Sequence, residues 1–300
     1  MREAPLLAGP FRHFLPALIL IALIEVTVLA WQRPERVDWK ESLATLGVAL
    51  GHTGVNLITR SFAGGAMLLL WPYRLLTIPV NTPLGLAGLL LCSEFFYYWE
   101  HRFSHTMRWA WASHSVHHSP VHLNFSAAYR LGWTGILSAV PLVFVPMVLL
   151  GFSPAAVGAM LAVNLLYQFW LHNEWMPKLG PLEWILNTPS SHRVHHASNA
   201  HYLDQNYGGM LIIFDHLFGT YSAEREACVY GLTHGINSYN PLRIALGEWG
   251  VLCQDVKQAP TFKQKFVTLF GPPASSGDAN TAVSMSIEGY DAALHTAGPL

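Results

Sequence analysis

The chain has 300 residues, of which 52% are hydrophobic and only 12% charged, a mean hydropathy of +0.30 and a formal charge of -1. Soluble domains carry about a quarter charged residues, so this composition predicts a membrane protein, and the near-neutral charge excludes the basic face that a nucleic-acid partner requires. Cys92, Cys228 and Cys253 are far apart and form no CxxC, which excludes a disulfide framework and a thiolate zinc site.

Apolar runs follow one another at 14–30, 43–58, 84–99, 134–150 and 155–171. They predict an all-α, polytopic protein with four or five spans, some short of the roughly 20 residues that cross a bilayer. The first run exceeds a signal-peptide core and lacks a small-residue cleavage site, so a retained span is expected. Segment 61–80 is apolar but holds Pro72 and Pro79, with Arg60 and Arg74 near its ends, and reads as re-entrant or interfacial. The turn signal at 151–154 makes the last two runs an antiparallel hairpin.

That hairpin geometry sends every histidine cluster to one membrane face. Arg102, Arg108, Arg130, Lys178 and Arg193 share the face, joined by Arg33, Arg36 and Lys40 if the first span ends there. The positive-inside rule then makes it cytoplasmic. Residues 1–270 are expected to form one membrane-embedded domain whose cytoplasmic cap comes from about 100–130 and 173–270. Residues 271–300, rich in Gly, Pro, Ser and Ala, read as a loosely ordered tail.

Chemistry enters with the histidines. HRFSH spans His101 and His105, HSVHH holds His114, His117 and His118, His172 ends the last run, and HRVHH holds His192, His195 and His196. Residues three or four apart share a helix face, so each motif is half of a metal site. Nine converging imidazoles exceed the needs of one four-coordinate ion and suit two ions with four or five nitrogens each. Imidazole accepts iron, zinc and copper alike, so spacing alone leaves the metal open. No paired Glu-x-x-His motif is present, which sets the site apart from carboxylate-bridged bundles. His13, His52, His216, His234 and His295 are isolated, and His122 and His201 stand near the clusters without a motif.

The order HxxxH, HxxHH, HxxHH resembles the fatty acid hydroxylase and sterol desaturase superfamily of membrane diiron enzymes. The likeness extends to its alkylglycerol monooxygenase branch through FYYWEHRFSH, HHSPVHLNFSAAYR, YQFWLHNEWMPKLGPLEWILNTPSSHRVHH, LDQNYGGMLIIFDHLFGTY and YGLTHGINSYNPL. It implies two iron ions held by His101, His105, His114, His117, His118, His192, His195 and His196, with His172 as a further ligand. Gln168 stands where some relatives carry another histidine, and Glu94 where the family usually has Asp. Asn124, Asp204, Asn206, Tyr207 and Asp215 match polar family positions and are implied partners of ring N–H groups. Thr106, Ala197, Ser198 and Gln205 depart from the branch, which carries Glu, Gly, Arg and Lys there.

The resemblance implies oxygen-dependent hydroxylation of a membrane lipid, with cleavage of an alkyl glycerol ether as the leading reaction. Carotenoid, sterol, fatty acyl and aminolipid hydroxylation or desaturation are the alternatives. Lipid and molecular oxygen are the implied partners, and the reductant is tetrahydrobiopterin, a ferredoxin or a b-type cytochrome. Two readings of other classes remain: a histidine-rich membrane metal transporter, whose sites normally lie at the bilayer midplane, and a zinc hydrolase, which turns over without oxygen.

Overall fold

The computed structural model describes residues 8–34, 37–233 and 238–273. Among these the fold is all-helical, with only two isolated antiparallel bridges, Leu186 to Leu211 and Ala197 to Tyr230. Ten helices occur in chain order: α1 (Ala8–Gln32), α2 (Trp39–Leu70), α3 (Pro83–Thr106), α4 (Arg108–His118), α5 (Val145–Leu150), α6 (Pro154–Phe169), α7 (Pro189–His196), α8 (Ile213–Phe218), α9 (Pro241–Gln258) and α10 (Phe262–Phe270). Most of the tail expected at 271–300, together with His234 and His295, lies outside the described residues, as do the side chains of His13 and Arg60.

Local chemistry sets the helix starts. Asp38, Thr82, Ser153, Thr188, Asn240 and Thr261 each accept a backbone N–H of the first turn, supplying acceptors to donors that a helix leaves without partners. Proline follows directly at the start of α3, α6, α7 and α9, where its missing N–H costs nothing.

The structure supports the helical class and does not by itself establish the four or five expected spans. Among the described residues no helix is long and apolar enough to cross a membrane. Run 134–150 is no single helix: Ala139 takes a left-handed conformation (φ 58°), a 3-10 turn follows at Val140–Phe144, and α5 lasts six residues. Pro141 and Pro146 withdraw the N–H groups that a continuous helix would need. Run 155–171 gives the 16-residue α6. Runs 43–58 and 84–99 lie inside longer helices diluted by His52, Asn56, Ser93 and Glu94. Segment 61–80 is split, since α2 continues to Leu70 before a 3-10 turn at Trp71–Tyr73. The turn at 151–154 forms around Gly151 (φ 129°), where α5 meets α6.

Apolar side chains nevertheless cover the outside of the first helices. Leu23, Trp31, Leu50, Leu57, Ile58, Leu69 and Leu84 are all more than half exposed. Exposed apolar side chains in this number on three helices call for an apolar surrounding or partner. The main apolar core joins α3, α5 and α6 through Leu89, Met147, Val148, Val157 and Met160. This core holds the C-terminal half of α3 beside α4 and the end of α6, which is where the histidines are.

Candidate metal centre

Nine histidines from four segments meet in one buried cage and sort into two groups. His101, His105, His114, His118 and His195 form one, and His117, His172, His192 and His196 the other. Within each group the candidate ligand nitrogens all lie within 4.8 Å of one another. Helix geometry explains the sorting. Residues four apart lie almost one above the other, whereas three apart they turn aside. The i, i+4 pairs His101/His105, His114/His118 and His192/His196 therefore stay together. The middle histidines cross over: His117 of α4 joins the α7 pair, and His195 of α7 joins the pairs of α3 and α4. His118 and His196 stack at 4.4 Å between ring centroids where the groups touch.

The backbone orients the rings. His101 Nδ1 lies 2.8 Å from the Tyr207 oxygen, His172 Nδ1 2.9 Å from the Gln168 oxygen, and His195 Nδ1 3.0 Å from the Gln205 oxygen. A carbonyl only accepts, so these contacts place the proton on Nδ1 and leave the Nε2 lone pair for the cage interior. The Asp204 carboxylate stands 3.5 Å from His105 Nδ1.

The Nε2 atoms face one another without enough protons to share. His114 Nε2 is 3.1 Å from that of His101 and 3.2 Å from that of His118. In the second group, His172 Nε2 is 3.3 Å from His117 Nε2 and 3.1 Å from His192 Nε2, which is 3.1 Å from His196 Nε2. Nitrogens bound at about 2.1 Å to one ion stand about 3.0 Å apart at a right angle and about 3.4 Å apart at a tetrahedral one. The observed spacings fall in that interval. His105 Nε2 and His195 Nε2 are buried with no hydrogen-bond partner, a cost of about 1–3 kcal/mol each that an ion would remove. The donor set fits a pair of transition-metal ions.

Electrostatics agree with that fit. Desolvation pushes the imidazoles of α4 and α7 far below the ordinary histidine value: His117 is lowered to about 4, and His114, His118, His192, His195 and His196 lie well below 6.5. Near neutral pH these rings are uncharged and free to ligate.

The other expected residues divide. Asp204 touches a ring with its side chain, while Tyr207 and Gln168 do so with backbone oxygens. The Gln168 side chain turns elsewhere: Tyr97 Oη donates to its Oε1 at 2.9 Å, and its Nε2 donates to Asn164. Glu94, Asn206 and Asp215 reach no ring and hold the loop that does. Glu94 accepts from the N–H groups of Met210 and Leu211 and from Asn164 Nδ2. Asp215 accepts from the N–H groups of Tyr207 and Gly208 and from the Thr220 hydroxyl. Asn206 donates to the Ser191 and Ser222 oxygens. Gly209 lies so close to Asn164 and Tyr97 that a Cβ would stand 2.3 Å from Asn164 Nδ2. Asn124 is corrected as a ring partner, because its Oδ1 caps the 3-10 turn Phe125–Tyr129 by accepting from Ser126. Gln205 was missed as an acceptor; a backbone oxygen carries no side-chain signature.

Of the histidines outside the motifs, His52 Nδ1 lies 2.9 Å from the Gly132 oxygen, His216 packs between Trp184 and Tyr221, and His201 stands 3.4 Å from Glu226. His122 lines a small crevice beside Glu41, Ser42 and Asn124. None joins the cage.

A cavity of about 470 Å³ opens against the cage. His105, His118, His195 and His196 line it together with the apolar Trp111 and Leu203 and the polar Arg243, Glu248 and Ser198. The cavity reaches both groups, and α9 contributes Arg243, Gly247, Glu248 and Val251 to its lining.

Residues 86–220, which contain the whole cage, match the fatty acid hydroxylase family. Over that segment the chain is similar to fatty acid hydroxylases. It is 35% identical to the alkylglycerol monooxygenase of Homo sapiens over 289 residues, covering 96% of this chain and 64% of that protein. It is 37% identical to that of Danio rerio over 227 residues, covering 75% and 50%. The ornithine lipid hydroxylase of Rhizobium tropici is 33% identical over 133 residues, covering 44% and 40%. The chain thus spans about half to two thirds of the length of the alkylglycerol monooxygenases of Homo sapiens and Danio rerio. No solved structure matches it.

Proposed function

We propose that this protein is a membrane monooxygenase that hydroxylates a lipid at two iron ions and cleaves an alkyl glycerol ether. The reading rests on the two all-imidazole groups, side by side under one cavity, in a chain similar along most of its length to alkylglycerol monooxygenases. His101, His105, His114, His118 and His195 would hold one ion, and His117, His172, His192 and His196 the other. Bound iron supplies the redox chemistry with oxygen that attack on an unactivated C–H bond demands and that side chains lack. Hydroxylation of the carbon beside an ether oxygen gives a hemiacetal, which falls apart to an aldehyde and free glycerol.

The chain's own residues position that chemistry. Tyr207, Gln168 and Gln205 keep the Nε2 lone pairs turned inward through their backbone oxygens. Asp204, lining the cavity beside His105, steadies that ring. Trp111 packs on His105 and His118 and keeps water from that side of the cage. Arg243, Glu248 and Ser198 offer both donors and acceptors, which suits the hydroxyls of a glycerol head better than a bare hydrocarbon end.

The apolar belt on α1, α2 and α3 supports an integral membrane setting with the cage at a helix-end face, and Arg102, Arg108, Arg130, Lys178 and Arg193 favour the cytoplasmic side. Residues 1–270 then act as one embedded domain with its cap at 100–130 and 173–270. Tetrahydrobiopterin, a ferredoxin or a b-type cytochrome would supply the electrons. The relative acting on ornithine lipids favours one second reading, hydroxylation of an aminolipid. The transporter reading is not favoured, since the chain is similar to alkylglycerol monooxygenases and an ornithine lipid hydroxylase.

The test is anaerobic reduction of iron-loaded protein in lipid nanodiscs, followed by oxygen and mass spectrometry with an alkylglycerol or an ornithine lipid. Aldehyde and glycerol in step with oxygen uptake support the ether reading. A hydroxylated ornithine lipid shifts the assignment to the second. Metal flux without oxygen uptake, or turnover without oxygen, sinks both.

A further inference from the structure

The short helix α10 is amphipathic the wrong way round for a helix packed on a protein. Phe262, Phe266 and Phe270 recur every fourth residue, so successive rings drift by only about 40° and form one stripe. That stripe points outward: Phe262 is 84% exposed, Phe266 54% and Phe270 40%. The opposite face, turned to α4 and α9, presents the buried Thr268 and the partly covered Gln264, which closes the capping box with Thr261. A water-facing helix places these residues the other way round.

Two lysines complete the pattern. Lys263 and Lys265 lie on either side of the phenylalanine stripe and both are exposed. Aromatic rings at the centre with ammonium groups along both edges match a helix lying in a bilayer interface, where rings enter the acyl boundary and long cationic chains reach back to anionic head groups. The stripe also ends close to the cavity, three residues before Pro273 of its lining. Phe270 stacks toward Trp109, which meets Trp249 of α9 at 5.0 Å, and Pro273 beyond α10 lines the cavity with Arg243 and Val251 of α9.

We propose that the outward Phe262–Phe266–Phe270 face of α10, flanked by Lys263 and Lys265, lies on an anionic lipid surface beside the cavity mouth. There it holds the cavity against the layer that supplies its substrate. The proposal rests on the membrane reading above but needs no catalysis for its test.

Full-length protein is placed in nanodiscs of phosphatidylcholine and phosphatidylglycerol in equal amounts, with a photoactivatable diazirine near the glycerol end of the acyl chain. After irradiation, labelled peptides are mapped. Lipid adducts are expected within 262–270. The K263E/K265E variant should lose labelling there by about five-fold per lysine, and pure phosphatidylcholine discs should abolish that difference. F262S/F266S should remove the adducts while melting temperature and elution volume stay unchanged. Labelling of α1 to α3 without any on 262–270 overturns the proposal and spares the membrane reading; no labelling anywhere overturns both. Cross-links from 262–270 to a second copy, or to residues 274–300, in place of lipid also overturn it. An inactive protein with full labelling would defeat the hydroxylase reading alone.

Discussion

The backbone oxygen of Tyr207 takes the Nδ1 proton of His101 at 2.8 Å, and the same residue's N–H is held by Asp215 at 2.7 Å. One peptide segment thus links a metal-facing ring to a carboxylate that no ring touches. Asp215→Ala removes three acceptor contacts from the loop and should lower metal affinity of the five-histidine group about 10–100-fold. Competition with a chromogenic chelator measures it; unaltered affinity would show that the loop holds its shape without the carboxylate.

Removing one ligand from each group separates their contents. His195→Ala takes a nitrogen from the five-histidine group and His117→Ala one from the four-histidine group. Each variant should be inactive, with metal per chain falling most at its own group. Two retained ions and full turnover in either variant would contradict the assignment.

Glu94→Gln puts an amide nitrogen in place of one acceptor oxygen, where it meets either the Asn164 donor at Oε1 or the Met210 and Leu211 donors at Oε2. At least one donor is then left unsatisfied in a buried place, a loss of about 1–3 kcal/mol for each. Denaturant titration of the metal-free protein reads it directly. An unchanged midpoint would mean that the 210–211 backbone has another support.

Acidification should unfold the metal-free chain early. Burial holds His117 at about 4 against an ordinary 6.5, and its neighbours on α4 and α7 are shifted the same way. A histidine whose folded value is depressed binds more protons when unfolded, so stability is full above pH 6.5 and declines as pH falls toward the folded values. Bound metal should move the acid transition lower. Identical transitions with and without metal would show that these rings do not govern it.

The histidine motifs were legible because HxxxH and HxxHH state a helix face in one dimension. Their partition was not. HxxHH offers both an i, i+3 and an i, i+4 pair, and only tertiary packing assigns His117 and His195 across the cage. The orienting acceptors at Tyr207, Gln168 and Gln205 are backbone oxygens, which any residue type supplies. Asn124 was misread for the converse reason: a short polar side chain beside the second motif serves equally as a turn cap. Apolar runs gave the helical class, but run 134–150 contained two prolines, and its continuity was overestimated.

His101 and His196 are 95 positions apart, yet their rings belong to one cage. At about 5–20 residues per second of synthesis, roughly 5–20 s separate the emergence of the first imidazole from that of the last. Throughout that interval HRFSH and HSVHH are available to any passing divalent ion. Faithful loading of the proposed iron pair therefore depends on timing as well as affinity: the correct ion must arrive after the ninth histidine, or an early, loosely held one must leave before the cage closes.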